Sequence, residues 1–130
     1  MEVVWLGTET VKELNRVALY EGEPHGLNSG SDLEGALNRP RGHHFYEGTD
    51  SMCELAALYA VALVKARAFR DGNKRTALLS IRAFLEANDL EFDYGPYDEE
   101  AAEMMTGIAT GSVDQEDVTE WIRHNTVGAS

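Results

Sequence analysis

The feature that most restricts the fold is a pair of strongly apolar helical stretches separated by a short polar turn. The first repeats apolar residues about every 3.6 positions. Its apolar positions are Met52, Leu55, Ala56, Tyr59, Ala62, Leu63 and Ala66. The second extends from about Asn73 to Ala87 and presents Ala77, Leu78, Ile81 and Leu85. A helix that is apolar on most sides is buried, so the sequence predicts a central buried helix pair.

Weaker signals place further helices on both sides of this pair. The predicted fold class is all-α, with about six helices in a single domain over residues 1–130. The first two helices are predicted from a cap at Thr8 to about Tyr20, and from Ser31 or Asp32 to about Asn38, before Pro40. The later signals are an N-cap at Asp50, a left-handed residue at Asn88, a cap at Asp98, and a capping box at Ser112 and Gln115 for a helix ending near His124. A short hairpin among residues 41–49 and a strand-like segment at Leu90–Tyr94 are also expected.

Composition excludes several classes of function. The chain has 11 lysines and arginines against 23 aspartates and glutamates, a formal net charge of −12, which argues against direct nucleic-acid binding. The longest apolar-rich stretch, Leu55–Val64, is too short to span a membrane. The single cysteine, Cys53, excludes a disulfide framework within the chain and is interpreted as a small core residue. We therefore expect a cytoplasmic protein with no membrane segment.

The turn between the two apolar stretches carries the candidate chemistry. Gly72 permits a positive φ and a close approach of the backbone to a ligand. The first N–H groups of the following helix have no partner within the helix, so they form an anion site together with the helix dipole. Lys74 and Arg75 add cations, and Asn73 adds an amide donor. Asp71 is the acid that a Mg²⁺ ion needs beside bound phosphates. The same pattern also fits a plain polar turn in which Asp71 caps the helix.

A resemblance favours the chemical interpretation. Residues 67–78 are similar to the motif of the Fic/Doc family: histidine, any residue, phenylalanine, any residue, acid, Gly or Ala, asparagine, Lys or Gly, arginine. Positions Phe69, Asp71, Gly72, Asn73, Lys74 and Arg75 fit it, and Thr76-Ala77-Leu78 is typical of the Doc branch. The segments Gly26–Pro40 and Ile108–Gly111 resemble further family segments, so the similarity extends from about Thr8 to Arg123.

The resemblance implies a toxin that uses ATP with Mg²⁺ to modify a protein hydroxyl. Doc-type proteins have lysine at the position of Lys74 and transfer a phosphoryl group to a translation factor, elongation factor Tu. Most other Fic proteins have glycine there and transfer AMP, which is the alternative activity. By this resemblance Asp71 holds Mg²⁺, and Phe69, Gly72, Asn73, Lys74 and Arg75 form the phosphate and nucleotide site. The implied partners are the target protein and a Phd-type antitoxin.

The departure from the motif is Arg67, which occupies the position of the family's catalytic histidine. Arginine stays protonated and cannot accept the proton of a target hydroxyl, so transfer is expected to be largely lost. Either an inactivating change was introduced or selected, which the intact remainder of the motif favours, or the chain is a natural divergent member. A non-catalytic binding module paired with an antitoxin is the alternative of a different class.

Target docking is assigned to the region before the central helix. In Fic proteins a flap binds the target segment by strand addition. The exposed-looking stretch that contains Phe45 and Tyr46 is expected to serve in that flap, and ordinary packing is the equal alternative.

Overall fold

A computed structural model describes residues 2–95 and 98–128. Within them the chain forms six helices and one small antiparallel sheet. The helices are α1 Thr8–Ala18, α2 Leu33–Glu47, α3 Met52–Ala66, α4 Asn73–Ala87, α5 Glu99–Thr110 and α6 Gln115–His124. The strands are β1 Glu91–Phe92 and β2 Thr126–Val127, paired Glu91 to Val127 and Phe92 to Thr126. The predicted all-α class is confirmed, as is a short strand within the predicted segment 90–94.

The central helix is α3, which packs against α2, α4, α5 and α6, while α1 lies mainly on α4. Ten consecutive or near-consecutive residues of α3 are buried, from Cys53 to Val64, and Tyr59 has no exposed surface. The Tyr59 ring packs against Phe84 of α4 at a centroid distance of 5.0 Å. The Tyr59 hydroxyl accepts a hydrogen bond from the N–H of Leu6 at 3.1 Å. The predicted central pair of helices is therefore confirmed, and its bounds agree with the sequence pattern.

The prediction for α2 is wrong. The helix does not end near Asn38 but continues to Glu47 with Pro40 inside it, so the predicted hairpin at 41–49 does not form. Leu33, Ala36, Leu37 and Pro40 are all buried. This spacing makes one continuous helical stripe, and its burial outweighs the backbone hydrogen bond that a proline removes. The helix ends at Gly48, which has the left-handed conformation with φ 72°.

Several predicted helix ends are displaced by one or two residues. Gly7, not Thr8, is the N-cap of α1, and α1 ends at Ala18 rather than near Tyr20. Ser51, not Asp50, caps α3. The capping box of α6 is formed by Asp114 and Asp117 rather than by Ser112 and Gln115. After α4, the residue with the left-handed conformation is Asp89 rather than Asn88. Asp98 is the N-cap of α5, although its side chain makes no capping bond, and Asp32 caps α2 through Gly35. Where the observed caps differ from the predicted ones, the reason is that several neighbouring residues can serve as the same cap.

Among the described residues, no helix combines the length and the apolar character needed to cross a membrane.

The burial of Cys53 leads to a testable prediction. Burial raises the pKa of its thiol, and only 2% of the residue surface is exposed. Because the thiolate is the reactive form, we expect iodoacetamide to label Cys53 slowly in the native protein and rapidly in urea. Intact-mass measurement over time follows the labelling. Equal rates in the two conditions would contradict the buried position.

Candidate functional site

The turn between α3 and α4 starts and ends at residues with positive φ. Arg67 ends α3 with φ 47°, and Gly72 precedes α4 with φ 72°. The left-handed conformation costs a residue with a Cβ atom ~1–2 kcal/mol. A Cβ on Gly72 would also lie 3.1 Å from Leu19 Cδ2 and 3.3 Å from Asn15 Nδ2. Gly72 thus satisfies both a conformational and a steric requirement of the turn.

The side chain of Asn73 holds this turn from within. Its Oδ1 accepts the N–H of Phe69 at 3.0 Å, and its Nδ2 donates to the carbonyl of Phe69 at 2.9 Å. Phe69 itself is buried. The sequence suggested that the Asn73 amide faces phosphate, but in the structure it contacts the peptide groups of Phe69. Its direct contact with phosphate stays a prediction.

A short segment of the loop between α1 and α2, Gly26–Asn28, pairs with the same turn. Leu27 and Phe69 form an antiparallel bridge, in which Asn28 N donates to Ala68 O at 2.8 Å and Arg70 N donates to Gly26 O at 2.9 Å. The Asn28 side chain donates to the carbonyls of Arg67 and Phe69, at 2.9 and 3.0 Å. These bonds include one to the strained residue Arg67, and they fix the backbone on the α3 side of the turn.

Asn15 of α1 fixes the other side of the turn and was missed by the sequence analysis. It is 2% exposed, and its Nδ2 donates to the carbonyl of Asp71 at 2.9 Å and to Thr76 Oγ1 at 3.0 Å. Thr76 Oγ1 in turn donates to the carbonyl of Gly72 at 2.7 Å. A signal was present, because Asn15 shares the buried face of α1 with Val11 and Ala18. A polar residue on an apolar helix face must find a partner inside the protein.

An open cavity of about 540 Å³ lies in front of the first turn of α4. We call it the α4 cavity, and its lining residues are Val64, Lys65, Arg67, Arg70, Asp71, Gly72, Asn73, Lys74, Arg75 and Ala109. Thr76 is the first residue of α4 whose N–H bonds to a carbonyl of the preceding turn, that of Gly72 at 2.8 Å. The N–H groups before it are those that a helix leaves without an internal acceptor. They belong to residues that line the cavity.

The charge of this lining is opposite to that of the whole chain. Five of the 11 basic residues line the α4 cavity, with one acid, Asp71, while the chain as a whole carries −12. Interactions between exposed charges fade over about 10 Å at ordinary ionic strength. The local potential therefore follows the nearby cations, and the cavity is suited to an anion.

Arg75 is held by an ion pair within the protein. Both of its terminal nitrogens lie 2.8 Å from Glu23, its guanidinium carbon lies 4.0 Å from the centre of the Tyr20 ring, and 17% of its side chain is exposed. The hydrogen bonds from Arg75 lower the pKa of Glu23, and those to Glu23 raise the pKa of Arg75. Of the two cations predicted from the motif, Lys74 is the exposed one without an ion pair among the described residues.

Asp71 offers one carboxylate to the cavity. Its Oδ1 accepts the N–H of Gly72 at 2.9 Å and lies 3.9 Å from Arg75 Nη2. The described residues contain no group of three or more His, Cys, Asp or Glu side chains placed to hold a metal. A metal at Asp71 would therefore take most of its ligands from a bound anion and water, which is how Mg²⁺ usually binds beside phosphates.

The predicted docking residues lie elsewhere. Phe45 and Tyr46 are on helix α2, 69% and 91% exposed, and neither lines the α4 cavity. Phe45 packs beside Trp5 and His44, at centroid distances of 6.1 and 4.9 Å. The extended segment next to the motif is Gly26–Asn28 instead. A target strand could not pair with the helical residues 41–47, because their backbone groups are used within the helix.

Comparison with known proteins identifies the family. The model of the Fic/DOC family matches residues 5–85, more than half of the chain, including the whole turn between α3 and α4. The chain belongs to the Fic/DOC family. It is also 32% identical over 107 residues to the "Protein kinase doc" of Escherichia phage P1, and the matched region covers 82% of each protein.

The requirement for glycine at position 72 of this Fic/DOC protein can be measured. We expect Gly72→Ala to lower the free energy of unfolding by about 1–2 kcal/mol, because Ala must adopt a positive φ. Urea denaturation monitored by circular dichroism gives the value. The matched control is Gly42→Ala, within α2, where a Cβ meets no atom within 4 Å. It should raise stability by about 0.5–1 kcal/mol. Similar losses in both variants would contradict the conformational explanation.

The ion pair between Glu23 and Arg75 predicts a pH dependence. Because the pKa of Glu23 lies below its ordinary value of 4.5, the pair stabilises the fold above that value and its contribution is lost as the pH falls through the lowered pKa. Glu23→Gln should therefore melt at a lower temperature than the parent at pH 7, and the difference should shrink in acid. Glu13→Gln, which removes an exposed partner of Arg16, serves as the control and should change little. A difference for Glu23→Gln that is constant from neutral to acid pH would refute the assignment.

Proposed function

We propose that the chain is a Doc-type toxin of a toxin–antitoxin system whose α4 cavity binds ATP with Mg²⁺ for phosphoryl transfer to a protein in the cytoplasm. In this chain Arg67 leaves transfer largely disabled. The observation that carries the proposal is the open cavity at the start of α4, which is lined by five cations, one carboxylate and the residues whose N–H groups a helix leaves without an internal acceptor. Phosphoryl transfer depends mainly on positioning and on electrostatic stabilisation, and both can be supplied by such a cavity.

Different residues of the cavity make different contributions to holding a triphosphate. The first N–H groups of α4 and the exposed Lys74 contact phosphate oxygens, while the Asn73–Phe69 clamp keeps the turn in shape. Arg75 contributes positive charge from a fixed position, because Glu23 and Tyr20 hold its guanidinium. Asp71 would hold a Mg²⁺ ion together with the bound anion, and the ion would neutralise part of the phosphate charge.

Phosphoryl transfer is favoured over AMP transfer by two observations. Lys74 occupies the position at which Doc-type proteins have lysine and AMP-transferring relatives have glycine. The phage P1 relative, 32% identical over 82% of this chain, is named a protein kinase. By this similarity we propose a translation elongation factor as the target and a Phd-type protein as the antitoxin.

The target segment docks at Gly26–Asn28 rather than at Phe45 and Tyr46. The bonds of this segment to the motif turn use the carbonyl of Gly26 and the N–H of Asn28. In an antiparallel pair of this kind the N–H and C=O of the intervening residue, Leu27, point away from the turn. Leu27 is also 40% exposed. A segment added there as a strand would pass close to position 67, where a base is needed.

Replacement of Arg67 by histidine tests the enzymatic proposal. Arg67→His should restore ATP-dependent modification of a target, with a rate increase of about 10²–10⁴-fold, because histidine can accept the hydroxyl proton. Arg67→Lys is the control, since it too lacks a base at neutral pH. Intact-mass analysis of the target distinguishes an added phosphoryl group from an added AMP. A histidine variant that modifies nothing and does not slow growth of its host would contradict the proposal.

The second candidate function is a non-catalytic binding module, which is favoured by Arg67 alone. Calorimetry of the parent chain with ATP and Mg²⁺ separates the two. Measurable ATP binding supports a nucleotide site in which only the base is missing. A parent chain without ATP binding, together with an unchanged Arg67→His variant, supports the binding module.

A further inference from the structure

The basic residues of this acidic chain are divided into two classes. Away from the α4 cavity most are neutralised locally: the pairs are Lys12–Glu9, Arg16–Glu13, Arg82–Glu86 and Arg123–Glu120, and Arg41 lies over the Trp5 ring. Among the described residues, the cations with no carboxylate within 4.0 Å and no aromatic ring beneath them are Arg39, Lys65, Arg67, Arg70 and Lys74. All five are exposed. The chain therefore concentrates its unpaired positive charge on one surface.

Two of these cations border a second cavity. It has a volume of about 400 Å³ between α2 and α3, and we call it the α2–α3 groove. Its lining residues are Asp32, Gly35, Ala36, Arg39, Ala62, Lys65 and Ala66. Lys65 also lines the α4 cavity, so the two cavities adjoin. The positive surface thus continues from the start of α4 onto α2, beyond the residues of the Fic/DOC motif.

The groove is built to admit a polypeptide closely. Four of its seven lining residues are glycine or alanine. Gly35 lies beneath the Asp32 carboxylate, so a ligand's backbone can approach the helices along the alanines. Its one carboxylate, Asp32, caps α2, since Oδ1 accepts the N–H of Gly35 at 2.8 Å, and the two cations of the groove outnumber it. Arg39 and Lys65 remain as donors for carboxylates of a partner.

We propose that the α2–α3 groove binds an acidic polypeptide segment of a partner protein, whose carboxylates pair with Arg39 and Lys65. A nucleic acid fits less well, because the lining has no aromatic side chain on which bases could stack. A segment bound there lies beside the α4 cavity, so its binding can influence access to that cavity. Binding of the segment in the groove does not require phosphoryl transfer in the α4 cavity, so either function can be lost without the other.

The test is a titration of the full chain with a fluorescently labelled peptide of alternating Glu and Ala, followed by anisotropy at low ionic strength. Arg39→Gln and Lys65→Gln should each weaken binding about 2–5-fold, the effect of one exposed ion pair of up to about 1 kcal/mol. The double variant should weaken it further, and added salt should abolish it. Arg82→Gln is the matched control, since it removes an exposed arginine outside the groove. It should bind the peptide as the parent does.

Each outcome decides the proposal. Circular dichroism of all variants must first show retained helix content, which is expected because Arg39 and Lys65 are exposed. The proposed groove is contradicted if the parent chain does not bind the peptide, or if Arg82→Gln weakens peptide binding as much as Arg39→Gln does. A labelled single-stranded oligonucleotide that binds tighter than the peptide and loses affinity in Arg39→Gln overturns the polypeptide assignment. Arg39→Gln should leave the affinity for ATP unchanged in a parallel titration. Loss of ATP binding is thereby distinguished from loss of peptide binding in the groove.

Discussion

The candidate site depends on one buried amide, that of Asn15, which connects α1 to both ends of the bend that starts α4. Its two hydrogen bonds fix the carbonyl of Asp71 and the hydroxyl of Thr76, on either side of the left-handed Gly72. A buried carbonyl without a partner costs about 1–3 kcal/mol, so the bend is favoured only while α1 stays docked on α4. Docking follows from the burial of Val11 and Ala18 on the same helix face. The packing of α1 on α4 therefore also determines the orientation of the first N–H groups of α4.

The same bend explains how an acidic protein keeps a positive cavity. Arg75 is paired with Glu23 and so also acts as a structural link between α4 and the loop after α1. The cations that remain unpaired surround the turn and the adjoining end of α2, where acids are nearly absent. Since exposed charges are screened over about 10 Å, the acids on the rest of the surface do little to cancel this region. Net charge by itself argued against a polyanion-coating protein but did not reveal the local cluster of cations.

Particular elements show why some of the fold could be predicted and some could not. α3 and α4 agree with the sequence pattern because they are apolar on most sides and are separated by a glycine, and these signals are local. α2 was predicted too short because Pro40 is normally a helix boundary, whereas here its burial with Leu33, Ala36 and Leu37 continues the helix to Glu47. That compensation comes from packing against α3 and has no local signal. The extended segment Gly26–Asn28 has none either, because its strand-like conformation comes from pairing with residues 68–70.

For the candidate site, the sequence alone determined the turn, its left-handed Gly72, the helix start at Asn73 and the arginine at position 67, since each depends on residues adjacent in the chain. Only the tertiary structure decided which polar groups are free to act. Asn73 is committed to Phe69, Arg75 to Glu23 and the carbonyl of Asp71 to Asn15. The last two partners are more than fifty positions away in the sequence. Hydrogen bonds between such distant residues form only after the helices pack, so the sequence pattern could identify the site's residues but could not assign their roles.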